Sequence, residues 1–169
     1  MRSNKLNELG TAAAALLKKR NQTIAVAESS AGGLINAALV AVPGASAYYL
    51  GGAIIYTKVG RKEIMGISSL DVKGMRSASE PYAQLLARRV REKLGATWGL
   101  SETGASGPTG NSYGDAPGHA CIAVSGPAFD PHDVVITVET GSADREANMR
   151  EFARRALALL EECLRKSRV

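Results

Sequence analysis

The 169-residue chain is 45% hydrophobic and 22% charged, enough to bury one core and too apolar for intrinsic disorder. Aromatic residues make up only 5%, which argues against a base-stacking nucleic-acid surface, while the many small residues predict close packing of helices on backbone. A net charge of +5 fits either nucleic acid or small phosphate and carboxylate ligands, and a single domain over residues 1–169 is expected.

Asn4 to Lys19 carries Leu6, Leu9, Ala13, Leu16 and Leu17 at helical spacing. Its Thr11 to Leu17 stretch is too short to span a bilayer and no cleavage site follows it, so a cytoplasmic protein is expected. Thr23 to Ala27 reads as a strand that ends at Glu28-Ser29-Ser30-Ala31-Gly32-Gly33, and Leu34 to Ala41 as a helix. A second strand covers Tyr48 to Tyr56, and Thr57 to Met65 a short helix stopped at Gly66. Ser79 before Pro81 marks a helix start, and that helix runs to Leu94 and stops at Gly95.

Thr97 to Thr103 is a third strand, leading into a Gly-rich loop from Gly104 to Pro117. Strands follow at His119–Val124 and Val134–Thr140, and a helix at Ala143–Arg165. Alternating strands and helices argue for a layered α/β/α domain around one sheet. The basic runs at Lys18-Lys19-Arg20, Arg88-Arg89 and Arg154-Arg155 sit on helices among acidic residues and read as solvated faces, which disfavours nucleic acid. Cys121 and Cys163 read as separate buried thiols; His119, at a strand start, and His132, in the Asp130–Asp133 turn, suggest no metal site.

In an open α/β sheet, ligands collect beyond the carboxyl ends of the strands. Three segments fall there. In the first, Ser29 or Ser30 is either a nucleophile, with the N–H groups of Ser30 to Gly33 holding an oxyanion, or a helix cap. In the second, Tyr56, Lys58, Arg61 and Lys62 either orient a phosphate or are surface charges. In the third, Thr103, Gly104, Ser106 and Gly107 offer a backbone nest for an anion, without the Gly-Lys-Ser/Thr ending of a Walker loop.

Ala27 to Gly33, Val42-Pro43-Gly44-Ala45-Ser46, Leu50-Gly51-Gly52 with Tyr56, and Thr103 to Pro108 together resemble the ordered signatures of the CinA C-terminal domain family, from about Leu9 to Leu164. The resemblance implies a three-layer α/β/α sandwich with one mixed, mostly parallel sheet of about five strands, and a homo-oligomer. It also implies cofactor-free hydrolysis of a nucleotide amide, nicotinamide mononucleotide (NMN) going to nicotinate mononucleotide and ammonia. The family's proposed nucleophile falls on Ser29, and its Tyr and Thr fall on Tyr56 and Thr103. Asp144-Arg145 matches its Asp-Arg pair, so that Arg145, with Arg61, would bind the phosphate.

One position departs. Where the family's deamidases carry a lysine proposed to deprotonate the serine, this chain has Arg61. A guanidinium cannot act as a base near neutrality, and Lys58, one helical turn earlier, is the expected substitute. The alternative is a nucleotide-binding or regulatory relative without turnover. In the long loop, Tyr113 or Asp115 either touches the ligand or shapes the turn.

Overall fold

The computed structural model describes residues 4–129 and 132–168. The order is α1 (Asn4–Lys19), β1 (Ile24–Glu28), α2 (Leu34–Val40), a 3-10 turn (Ala45–Ala47), β2 (Tyr49–Ile54), α3 (Lys58–Met65), α4 (Glu80–Leu94), β3 (Trp98–Ala105), β4 (His119–Ser125), β5 (Val134–Glu139) and α5 (Arg145–Lys166). Five strands form one mixed sheet in the order β2-β1-β3-β4-β5. Its β2-β1-β3 half is parallel and its β3-β4-β5 half antiparallel, an even balance. Each parallel step contains a helix, which the crossover requires, whereas the loops after β3 and β4 carry none and return antiparallel.

Helices cover both faces, giving the three-layer α/β/α sandwich. Ile24, Val26, Trp98, Leu100, Ile122 and Val124 point to the face under α2 and α5, with α1 packed on those two helices. Ala25, Ala27, Cys121 and Ala123 point to the opposite face, under α4. Small residues there let α4 come close: a Cβ added to Gly99 would lie 2.1 Å from the Ala87 carbonyl oxygen. The interior strand β1 is buried throughout, while β2, at the sheet edge, alternates half-buried and exposed.

Local signals placed the helices well. Ser79 accepts from the Tyr82 N–H at 3.4 Å and Gly95 ends α4 in the left-handed region, as expected. β3 runs two residues past the expected Thr103, because Gly104 and Ala105 pair with Ala120 and His119 of β4. The Gly-rich loop therefore begins at Ser106. Of the expected Asp130–Asp133 turn, Asp130 and Pro131 lie outside the described residues. Among the described residues, no helix is long and apolar enough to cross a membrane.

Candidate active site

Parallel pairing of β1 with β3 ends at Ala27–Ser101; beyond it Glu28 still pairs with Ile54 of β2 and Glu102 with Ile122 of β4, so the two residues follow the last β1–β3 pair on neighbouring strands. Both are fully buried. The two carboxylates organise the turn into α2. Glu28 accepts from the N–H groups of Gly33 (2.6 Å), Ile35 (3.3 Å) and Asn36 (2.8 Å) and from the Asn36 side-chain amide (2.6 Å). Glu102 accepts from the N–H groups of Ser29 (3.1 Å) and Ala31 (2.9 Å) and from the Ser30 hydroxyl. Burial raises both carboxyl pKa values, with these hydrogen bonds opposing it; Glu102 is pushed up to about 7.

This allocation decides which backbone donors remain. The Gly32 N–H bonds the Ser29 carbonyl at 3.0 Å, and the Leu34 N–H bonds the Ala31 carbonyl at 3.4 Å. Within the turn the Ser30 N–H alone has no acceptor among the described residues. Of the expected oxyanion donors from Ser30 to Gly33, those of Ala31, Gly32 and Gly33 are therefore committed to internal acceptors. Gly32 and Gly33 do not line the clefts described below; their φ values of 68° and 101° shape the turn.

Ser29, Tyr56, Lys58, Arg61, Thr103 and Gly104 line one cleft of about 400 Å³, with Tyr82, Asn111 and Tyr113. Ser30, Ser106, Gly107 and Arg145 line an adjoining cavity of about 210 Å³, which shares Tyr56, Gly104 and Asn111 with the first. On its other side the cleft shares Lys58, Arg61, Ser77 and Tyr113 with a hollow of about 460 Å³ that also touches Arg76. The three sequence segments thus meet in one continuous groove.

The residues differ in what they can do there. Thr103 is buried, and its hydroxyl accepts from the Ala78 N–H at 3.2 Å, holding a non-glycine residue at φ 54°. Lys58 opens α3 from an exposed position, with Thr57 as the cap. Neither Lys58 nor any other described side chain bonds the Ser29 hydroxyl. Arg145 donates to the Gly107 carbonyl (2.5 Å) and the Tyr56 hydroxyl (2.7 Å), tying the second and third segments together. Asp144 does not pair with it; it caps α5 by accepting from the Ala147 N–H at 3.0 Å.

Arg61 is only 9% exposed and its Nε has no hydrogen-bond partner among the described residues. Neither Arg61 nor Arg145 has a carboxylate within ion-pair distance among them. Arg76, by contrast, is bidentate to Asp115 at 2.5 and 3.0 Å, and stacks on the Tyr113 ring. Burial pushes the Asp115 carboxyl up, but Arg76, Asn111 and His119 together hold it below its ordinary value. Asp115 therefore shapes the loop, while Tyr113 reaches the cleft.

His119 lies beneath this loop, its Nδ1 2.5 Å from the Glu139 carboxylate and its Nε2 2.7 Å from the Ala78 carbonyl. Both partners are pure acceptors, so the imidazolium satisfies both. Burial alone would lower the His119 pKa, but Glu139, the Ala78 carbonyl and Asp115 raise it. Sequence reasoning missed the wedge of Glu102 and the Arg76–Asp115 clamp. A glutamate inside the buried run Gly99-Leu100-Ser101-Glu102 was the available signal, since such a group needs dedicated donors.

The family model for the CinA C-terminal domain matches residues 6–164. The chain belongs to the CinA C-terminal domain family. A CinA-like protein of Chlorobium limicola is 37% identical over 147 residues, covering 84% of this chain and 33% of that protein. One from Gloeobacter violaceus is 40% identical over 119 residues, covering 70% of this chain and 28% of that protein. The chain thus spans about a third or less of these curated relatives. The crystal structure of a CinA superfamily protein from Klebsiella pneumoniae 700603 superposes with a TM-score of 0.87 at 25% identity, covering 96% of this chain and 99% of that one. A competence/damage-inducible protein from Agrobacterium tumefaciens, at 23% identity and a TM-score of 0.86 over 96% of each chain, shares the fold.

Proposed function

We propose that this CinA-family domain hydrolyses the carboxamide of a small anionic nucleotide, of which NMN is the type substrate, with Ser29 as the nucleophile. The reading is carried by the serine turn, which presents the half-buried Ser29 to a cationic cleft and leaves one backbone donor, the Ser30 N–H, unpaired. A donor on the residue after the nucleophile is well placed for the oxyanion formed when that nucleophile attacks a carbonyl. Preorganised donors of this kind are worth about 3–4 kcal/mol of barrier.

The phosphate of the substrate answers the unpaired charges of Arg61 and Arg145. Burying a guanidinium without a counter-charge is costly, and a bound anion relieves that cost. Arg145 also fixes Tyr56 and the Gly107 loop, so it shapes the site even when empty. Attack of Ser29 on the amide carbon gives an ester and ammonia, and water then releases the carboxylate product and restores the serine.

One observation favours a second reading, in which nucleotide binds without turnover. Arg61 replaces the lysine that the resemblance implies as base, and its burial suits binding better than proton transfer. Ammonia release from NMN by the wild type and by Ser29→Ala separates the two. Release that disappears in Ser29→Ala, with NMN binding retained in calorimetry, supports the hydrolase. Binding without release from the wild type supports the second reading.

A further inference from the structure

Charge in the groove is of one sign. Among the described residues, no aspartate or glutamate lines the Ser29 cleft, the Arg145 cavity or the hollow beyond Arg61, whereas Lys58, Arg61, Arg76 and Arg145 do. Asp115 answers Arg76, which leaves two guanidinium groups without a carboxylate partner. They come from opposite helical layers, Arg61 from α3 on the α4 side of the sheet and Arg145 from the start of α5. Arg61 lines the cleft that holds Ser29 but not the Arg145 cavity, and Arg145 lines that cavity but not the cleft. We propose that the groove is matched to a nucleotide with two anionic ends, a phosphate at Arg145 and a ring carboxylate at Arg61, and so holds the acid product more tightly than the amide. This rests on the nucleotide site proposed above.

Three features favour the acid. Placing the carboxamide carbon at Ser29 puts the pyridine ring in the cleft that Arg61 lines. In NMN that ring is a pyridinium, and with no carboxylate in the cleft two like charges face one another there. In the acid the carboxylate cancels the ring charge and offers the planar pair of oxygens that a guanidinium grips through two N–H groups. The overall balance points the same way. With a phosphate of about two negative charges near neutrality, NMN carries about −1 and the acid about −2, the better match for two unpaired guanidinium groups. Finally, Arg61 is only 9% exposed, and a buried guanidinium without a counter-charge is costly until an anion reaches it. Glu28 and Glu102 do not serve as that anion, because their oxygens are taken by the N–H groups and hydroxyl of the serine turn and by Asn36.

Arg61 is thus a specificity-determining residue, and the two arginines divide the work. Arg145, anchored to the Gly107 carbonyl and the Tyr56 hydroxyl, meets a phosphate that amide and acid both carry, so it does not discriminate between them. Arg61 meets the end of the ligand that hydrolysis changes. Lys58 adds positive charge at an exposed position, where solvent and salt screen it. If the domain cuts the amide, the new carboxylate forms beside Arg61 and release of the acid limits turnover. If the domain only binds, the acid is the ligand it retains.

The test is calorimetry of the full chain with NMN and with nicotinate mononucleotide, in a Ser29→Ala parent so that NMN is not consumed. The parent should bind the acid ~10–100-fold more tightly than NMN, the scale of one charge-assisted hydrogen-bonded contact. Adding Arg61→Gln should weaken both ligands through the phosphate but the acid far more, leaving the two within about threefold of each other. Adding Arg145→Ala should weaken both alike and keep the preference. A purely structural role for Arg61 would move both ligands equally. If Arg61→Gln does not fold, salt gives the result in the parent alone. Raising it from about 50 to about 200 mM should cost the acid several-fold more affinity than NMN, and equal losses overturn the inference. Equal affinities in the parent, tighter binding of NMN, or a preference unchanged by Arg61→Gln also overturns it, and binding of neither ligand overturns it together with the nucleotide site. Ammonia release from NMN by the wild type separates the two claims. Release without a preference for the acid overturns this inference and keeps the hydrolase, whereas a preference that needs Arg61, without release, keeps the inference and overturns the hydrolase.

Discussion

Replacing Glu28 by Gln is the sharpest structural perturbation of the turn. Oε1 accepts two backbone N–H groups, and Oε2 accepts the Asn36 N–H and the Asn36 amide. An amide retains one oxygen, so one of these pairs meets an NH2 group and loses its acceptor. Asn36 cannot simply rotate, because its Oδ1 already accepts the Tyr49 hydroxyl at 2.5 Å. Two buried donors left unpaired cost about 1–3 kcal/mol each, partly offset because an amide is easier to bury than a charge. The net expectation is a loss of about 2–3 kcal/mol, or on the order of 5–10 °C in melting temperature for a domain of this size. Urea denaturation followed by circular dichroism measures it. A change under ~0.5 kcal/mol, within the range of an ordinary surface substitution, would refute the claim that Glu28 anchors α2.

Three further outcomes are expected. Thr103→Val, nearly the same shape, removes the acceptor of the Ala78 N–H and should destabilise by about 1–2 kcal/mol in the same assay. Arg145→Ala frees Tyr56 and the Gly107 carbonyl and should weaken NMN binding ~10–100-fold in calorimetry, with a smaller effect on the melt. Stability should fall between pH 5 and pH 8. Glu102 has its folded pKa raised from 4.5 to about 7, so its contribution is complete below 4.5 and is lost as pH rises to about 7, on the order of 3 kcal/mol. His119, raised above 6.5, adds to the fall: its contribution is complete below 6.5 and is lost as pH climbs through the folded value. Denaturation midpoints across this range should flatten in Glu102→Gln between pH 5 and pH 7, and an unchanged slope there would contradict the assignment.

The elements themselves were largely legible in the sequence, because each local signal had a physical basis that the tertiary fold did not override. α1 spans Asn4 to Lys19 as its apolar spacing predicts, and Ser79 and Gly95 bracket α4. Strand sense was not legible: nothing local to His119–Ser125 distinguishes an antiparallel partner, and that pairing is what lengthens β3 through Ala105. The same limit applied to the site. Glycines, serines and cations at three strand ends marked where the groove would lie, and the groove collects Ser29, Tyr56, Lys58, Arg61 and Thr103. The allocation of backbone donors, which singles out the Ser30 N–H, depends on Glu28 and Glu102 converging from different strands. No spacing within one segment encodes that convergence.

The nucleophilic role of Ser29 is tested most directly by supplying hydroxylamine to the protein with NMN and measuring ammonia and hydroxamate together. An ester on Ser29 is expected to be intercepted, so the wild type should release ammonia and form hydroxamate, and Ser29→Ala should do neither while still binding NMN. Equal ammonia release from Ser29→Ala, or none from the wild type, would contradict the account.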